Sequence, residues 1–224
     1  MQTVAFAFNK IPHYISPAIE KDYGTIIMQT ATQTRPMQSR PPSRKSSVIF
    51  TYEDYQQFPD DGKRYEIING ELFMSPAPIT AHQRVSKKLT YFLESFLRTR
   101  PIGELFVAPY DVVLSEEDVV EPDLCVVLNE QKHIITTKNI EGAPDFVIEI
   151  LSPFNRVMDI RRKKALYEQF GVKEYWIVDP EMETIQKFLL KDELYVDTGT
   201  FEKTQTISSE VVKGFLIEGE KVFG

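Results

Sequence analysis

The stretches Val119-Val-Glu-Pro-Asp-Leu-Cys-Val-Val-Leu128 and Pro144-Asp-Phe-Val-Ile-Glu-Ile-Leu151 decide the fold. Each is a short apolar run rich in β-formers, with a proline at or near its start. Each also holds a carboxylate next to branched aliphatics: Asp123 just before Leu124, and Glu149 between Ile148 and Ile150. Burying such a group is costly unless it is paired or binds a cation. If the two strands are antiparallel neighbours, the start of one meets the end of the other. Asp123 and Glu149 then converge at one edge of the sheet. Two hard oxygen ligands there suit Mg²⁺, which keeps several waters. Taken singly, Asp123 reads equally well as a turn residue and Glu149 as an exposed group at a strand end.

Working outward, a third strand-like segment covers residues 105–114, before the two already quoted. A helix is expected before it, over residues 81–98, where Val85, Leu89, Phe92, Leu93 and Phe96 form an apolar stripe. Thr80 and Gln83 have capping-box spacing, and His82 falls on the stripe side at the helix N-terminus. A second helix is expected over residues 157–170, closed by Gly171, and a strand over 174–178, closed by Asp179-Pro180. Helix, three strands, helix, strand implies an α/β fold with a mixed sheet flanked by helices. Added hairpins flank this core. At the N-terminal end, Asn69-Gly70 separates two apolar-rich runs within residues 64–74, pairing Ile68 with Glu71 and Glu66 with Phe73. At the C-terminal end, residues 184–190 and 193–197 read as a further hairpin.

The second helix adds a cation. With Asp159 at zero on a wheel of about 100° per residue, Lys163, Leu166, Tyr167 and Phe170 fall within about 80° of it. Lys164, Glu168 and Arg161 point the other way. Lys163 therefore belongs to the core-facing stripe, where it either snorkels or reaches the two acids.

Composition narrows the alternatives. The 224 residues are 42% hydrophobic, enough to fill a core. Residues 1–47 hold six Lys/Arg and two Asp/Glu, and they end in a Pro/Ser/Arg-rich run that reads as a flexible tail, with a short helix open near 16–22. The domain is therefore expected over 48–224, opening with Thr51 as an N-cap, and Met28 is an alternative start. That domain carries 20 basic and 31 acidic residues, a net of −11, so contact with nucleic acid has to rest on local cations or bound metal. The densest basic run is Arg156, Arg161, Arg162, Lys163 and Lys164. The single cysteine, Cys125, excludes an internal disulfide framework and reads as strand packing. No apolar run approaches the roughly 20 residues of a membrane span, and a cytoplasmic location is expected. His13 and His133 lack metal-ligand spacing, and there is no P-loop, dinucleotide fingerprint or zinc motif.

The chain resembles the Uma-two (Uma2) family of restriction-type endonucleases, a branch of the PD-(D/E)XK nuclease superfamily. The resemblance is carried by Tyr65-Glu-Ile-Ile-Asn-Gly-Glu-Leu72, Ser75-Pro-Ala-Pro78, His82, Ala108-Pro-Tyr-Asp-Val-Val-Leu114 and Glu121-Pro-Asp-Leu124. It continues through Gly142-Ala-Pro-Asp-Phe-Val-Ile-Glu-Ile-Leu-Ser-Pro153, Asp159, Lys163, Tyr167 and Gly171-Val-Lys-Glu-Tyr-Trp-Ile-Val-Asp-Pro180. It implies a restriction-endonuclease-like core and a Mg²⁺-dependent endonuclease acting on DNA, with Mn²⁺ as a substitute. Asp123 and Glu149 match the two motif acids, and the Ile150 carbonyl is a third metal ligand. Leu151 stands where the superfamily motif has lysine. In this family that lysine is placed on the following helix, where Lys163 lies. Glu71 and Asp111 match family positions and are open as further ligands or as solvent-facing strand residues. His82, Asp159, Tyr167, Arg156 and Arg162 are candidates for supporting the site or binding substrate. The rival expectation is a nuclease-fold module that binds nucleic acid or protein with little catalysis. A hydrolase acting on a substrate other than DNA is a third. DNA sequence preference, one metal or two, and a homodimer all stay open.

Overall fold

Asn69 and Gly70 both adopt positive φ, 52° and 72°, which is the backbone of a two-residue type I′ hairpin turn. They join strands β1 (Arg64–Ile68) and β2 (Glu71–Ser75) in the expected register, with Ile68 opposite Glu71 and Glu66 opposite Phe73. The computed structural model describes residues 48–59, 61–75, 77–152 and 156–224, without the side chains of 156–159. The tail and short helix expected within residues 1–47 lie outside the described residues. Just before the hairpin, Thr51 caps a one-turn helix, α1 (Tyr52–Tyr55), in a reciprocal capping box with Asp54.

The first long helix, α2 (Thr80–Thr99), begins one residue earlier than expected. Ile79 is its N-cap, and no side chain caps it, so the Thr80/Gln83 box does not form. Thr80 is already inside the first turn, and the amide of Gln83 bonds the Ile79 carbonyl instead. The apolar stripe buries Val85, Leu89, Leu93 and Leu97.

The segment expected as one strand over 105–114 is two. β3 (Gly103–Val107) and β4 (Val112–Ser115) are separated at Ala108-Pro109 and belong to different sheets. Pro109 lacks an N–H for the ladder, so the chain leaves one sheet there and enters the other. β5 (Asp118–Val120), β6 (Leu124–Leu128), a 3₁₀ turn (Asn129–Ile134) and β7 (Ile140–Glu141) follow. Next come β8 (Phe146–Ile150), helix α3 (Arg156–Gln169) and β9 (Glu174–Asp179). Gly171 ends α3 at φ 82°, the left-handed residue expected there. The C-terminal hairpin of β10 (Thr184–Lys191) and β11 (Leu194–Glu202) is longer than the sequence suggested. β12 (Thr206–Ser208), β13 (Leu216–Glu218) and α4 (Gly219–Phe223) complete the chain.

Six strands form the central mixed sheet in the order β11-β10-β9-β8-β6-β3. β6 runs antiparallel to β8, and β8 parallel to β9. A second sheet, β2-β1-β5-β4-β7, was not expected from sequence. Its parts are short and lie far apart in the chain, so no local periodicity announces it. Alternation divides the central sheet into two faces. Leu124, Val126, Phe146, Ile148 and Trp176 pack with the α2 stripe and with Val212, Phe215 and Val222. Cys125, Val127, Val147 and Tyr175 pack with Leu166 and Tyr167 of α3 and with Ile68, Val112, Val120 and Ile140 of the second sheet. Both faces are covered, which is why β6 and β8 read as unbroken apolar runs. Glu149 shares the face of Val147 and so points between the central sheet and α3. Among the described residues, no helix is long and apolar enough to cross a membrane.

Candidate active site

The antiparallel pairing of Leu124 with Ile148 sets Asp123, immediately before β6, beside the end of β8. The Ile150 amide donates to Asp123 Oδ2 at 2.8 Å, which ties the two strand ends together through the carboxylate. His82 Nε2, from the first turn of α2, lies 3.0 Å from the same oxygen. His82 Nδ1 is buried with no hydrogen-bond partner among the described residues. Arg64, the first residue of β1, donates from Nη1 to Asp123 Oδ1 at 3.2 Å. Burial pushes the Asp123 carboxyl up, but His82, Arg64 and the Ile150 amide outweigh it and hold the group below its usual range.

Glu149 has a different environment. Its Oε1 accepts from Lys163 Nζ at 3.1 Å and from the Tyr167 hydroxyl at 2.6 Å. Burial dominates here, and Asp123 and Glu66 add like charge, so its pKa is pushed up to about 8 despite Lys163. Lys163 also lies 2.8 Å from Glu66 Oε1 and is 4% exposed, so the α3 wheel placed it correctly in the core. Lys164 departs from the wheel: it is half-buried, with its ammonium 4.7 Å from the Phe188 ring centroid rather than out in solvent.

The second sheet supplies groups that sequence reasoning missed. Glu66 is 1% exposed and accepts the Glu121 amide at 2.9 Å. Glu121 takes Arg64 Nε at 3.2 Å, and Arg64 Nη2 donates to its carbonyl. The Tyr55 hydroxyl lies 2.7 Å from Asp111 Oδ1 and 3.2 Å from Glu121 Oε1. Burial would release the Arg64 proton, but Asp123, Glu66, Glu149 and Glu121 hold it more firmly than usual. One signal for Glu66 was legible. It shares a hairpin face with Ile68 and Phe73, both apolar, so a carboxylate there had to be buried with a partner.

Of the other candidates, Glu71 is exposed at the edge of the second sheet, beside the turn, and Glu66 holds the inward position instead. Asp111 is linked to Glu121 through the Tyr55 hydroxyl that lies against both. Arg162 stacks over Phe73 at 4.5 Å. Arg156 and Asp159 sit on the first turn of α3, with side chains outside the described residues. Cys125 is buried in β6, and burial pushes its thiol up, as for an inert packing group.

No cluster of three or more metal-capable His, Cys, Asp or Glu side chains is preassembled among the described residues. The donor set nevertheless fits a hard divalent ion. Asp123 and Glu149 offer hard oxygen donors, and with Glu66 and Glu121 they set four carboxyl groups around the basic side chains Arg64 and Lys163. Burial first, and then the neighbouring Asp123 and Glu66 carboxylates, raise the proton affinity of Glu149.

Residues 52–218 match the sequence model of the Uma2 family, described as "Putative restriction endonuclease". No curated protein matches the chain. Among solved structures, the chain is similar to a "putative nuclease belonging to DUF820" from Anabaena variabilis. The two are 18% identical with a TM-score of 0.66, over 78% of this chain and 97% of that one. At that identity the likeness shows the fold, a restriction-endonuclease-like mixed α/β core.

Proposed function

The chain belongs to the Uma2 family, and from that premise we propose that it is a metal-dependent endonuclease hydrolysing DNA phosphodiester bonds. The observation that carries this reading is the convergence of Asp123 and Glu149 at adjacent ends of β6 and β8 with Lys163 from the middle of α3. Asp123, Glu149 and the Ile150 carbonyl would hold Mg²⁺, with Mn²⁺ able to substitute. The ion would supply positive charge at the scissile phosphate and acidify a water beside it.

The chain's own groups do the rest. Tyr167 and Lys163 fix the Glu149 carboxylate from one side, so its position does not depend on substrate. The Ile150 amide and His82 fix Asp123 in the same way. Lys163 brings its side-chain nitrogen into a site almost closed to water, where it orients the attacking water and neutralises charge developing on the phosphate. This preorganisation is maintained by Glu66, which holds the ammonium from the second sheet. Arg162, Lys164 and Arg161 lie on the same helix and offer cations to the flanking phosphates.

The test is incubation of the purified chain with single-stranded, duplex, nicked and branched DNA, with Mg²⁺, Mn²⁺ or EDTA. Metal-dependent cleavage that Asp123→Asn and Glu149→Gln both abolish is the expected result. Cleavage unaffected by either substitution would overturn the reading. Absence of cleavage across all metals and DNA forms would shift it to a binding module.

A further inference from the structure

Arg64 begins β1, on the second sheet, and its guanidinium crosses to the segment that enters β6. Nε lies 3.2 Å from Glu121 Oε2, Nη1 lies 3.2 Å from Asp123 Oδ1, and Nη2 donates to the Glu121 carbonyl. Both carboxylate contacts are long beside the ~2.8 Å of a strong charge-assisted bond. Lys163 is held differently. It has carboxylates at 2.8 and 3.1 Å, and its side chain is 5% exposed. The Arg64 side chain is 21% exposed, so it is the cation of the cluster that faces solvent. It contacts the Asp123 oxygen that neither His82 nor the Ile150 amide occupies.

We propose that Arg64 is the resident counter-ion of the carboxylate cluster, displaced from Asp123 when a divalent cation binds, and that the freed guanidinium then holds a phosphate oxygen of the substrate. This rests on the metal reading given above. A divalent ion on Asp123 Oδ1 and the Arg64 guanidinium compete for one oxygen, and their like charges repel. Glu121 retains the side chain through Nε and its carbonyl, which keeps the guanidinium at the mouth of the site. A guanidinium fork matches phosphate oxygens as well as carboxylate oxygens. Arg64 therefore opposes the metal while substrate is absent and cooperates with it once a phosphate is present. The coupling between the two ligands is thus carried by one side chain with two partners.

The experiment compares the full chain with Arg64→Gln and Arg64→Lys. Titration calorimetry measures Mn²⁺ affinity, and fluorescence anisotropy measures affinity for a duplex oligonucleotide in EDTA and in Ca²⁺. Removing one competing unit charge should tighten Mn²⁺ binding by roughly 10-fold in Arg64→Gln. Arg64→Lys, which keeps the charge and loses the fork, should fall between it and wild type. DNA affinity should match wild type in EDTA, where Arg64 is engaged with Asp123, and should gain at least roughly 10-fold less from Ca²⁺ in Arg64→Gln, which lacks the phosphate fork. Mn²⁺ binding by a folded Arg64→Gln that is equal to or weaker than wild type would overturn the proposal. If that variant does not fold, an Arg64→Lys affinity equal to wild type would do the same. Wild type that binds no Mn²⁺ at all would sink the metal reading and this proposal together. Wild type that binds it, with unchanged variants, sinks the Arg64 role alone.

Discussion

Lys163 Nζ lies 2.8 Å from Glu66 Oε1, an ion pair between α3 and the first strand of the second sheet with both side chains at or below 5% exposure. It joins two parts of the chain that the central sheet alone would leave unconnected. Glu66 also accepts the Glu121 amide at 2.9 Å, so one carboxylate fixes both the lysine and the segment leading to Asp123.

Replacing Glu66 should therefore destabilise the protein by an amount that depends on the replacement. Glu66→Ala leaves a buried amide without its acceptor and removes one of two carboxylates from a buried lysine. A loss of about 3 kcal/mol is expected, within the range for breaking a buried pair. Glu66→Gln keeps an acceptor for the amide and should cost less. Urea denaturation of both variants measures this. Losses below about 1 kcal/mol for Glu66→Ala, the size typical of exposed pairs, would show that the pair contributes no more than a surface ion pair does.

The pH dependence of the metal-free protein follows from Glu149. Burial pushes its pKa up from 4.5 to about 8, so the folded state binds its proton more tightly than the unfolded chain does. The contribution of this group is therefore fully present below about pH 4.5 and is lost as pH rises towards 8. Asp123 runs the other way: its folded pKa is depressed, and its contribution fades only as pH falls below the ordinary carboxylate range. In EDTA the melting temperature of wild type should fall relative to Glu149→Gln between pH 5 and pH 8. A difference that stays flat across that window would mean that Glu149 is not buried as a neutral acid.

Divalent metal should reverse that weakness. Mn²⁺ or Mg²⁺ binding to the folded state alone raises the melting temperature by mass action. Glu149→Gln keeps the shape of the side chain and removes its charge, so most of the shift should vanish. Thermal unfolding with and without 5 to 10 times the dissociation constant of the ion gives the comparison. Equal shifts in wild type and variant would remove Glu149 from the ligand set.

These groups were not equally legible in the sequence. The apolar β-former runs of β6 and β8 and the stripe of α3, with its period of about 3.6, are local patterns that singled out Asp123, Glu149 and Lys163. Their convergence rested on supposing that β6 and β8 are antiparallel neighbours, as their register has it. The N-terminal hairpin was equally plain, because Asn69-Gly70 fixes its register. Arg64, Glu121 and Tyr55 were not visible, because their approach depends on how the second sheet lies against the first. That sheet is assembled from pieces as short as Ile140–Glu141, and its strand β4 was read as the continuation of β3. The choice of Glu71 over Glu66 has a related cause. Both lie on one ribbon face, but only the inner strand of the pair is covered.

The sharpest separation of enzyme from binding module lies in two adjacent lysines. Lys163 is 4% exposed among Glu66, Glu149 and the apolar residues of α3, whereas Lys164 lies over Phe188 outside the site. If Lys163 stabilises the transition state, Lys163→Ala should slow single-turnover cleavage by about 100-fold or more, the loss typical of one preorganised donor. DNA affinity should change little, since a buried lysine bound to two carboxylates makes no free contact with flanking phosphates. Lys164→Ala should leave the chemical step nearly unchanged and at most weaken binding in a salt-dependent manner. It should also lose about 0.5–1 kcal/mol of stability as the cation–π contact with Phe188 disappears. Because Lys163→Ala also takes the ammonium away from between Glu66 and Glu149, its folded fraction has to be checked by circular dichroism. Lys163→Met, which keeps the stem and removes the charge, controls for packing. Equal rate losses for Lys163→Ala and Lys164→Ala would mean that α3 contributes only a diffuse positive surface, and a Lys163→Met rate equal to wild type would take the ammonium out of the chemistry.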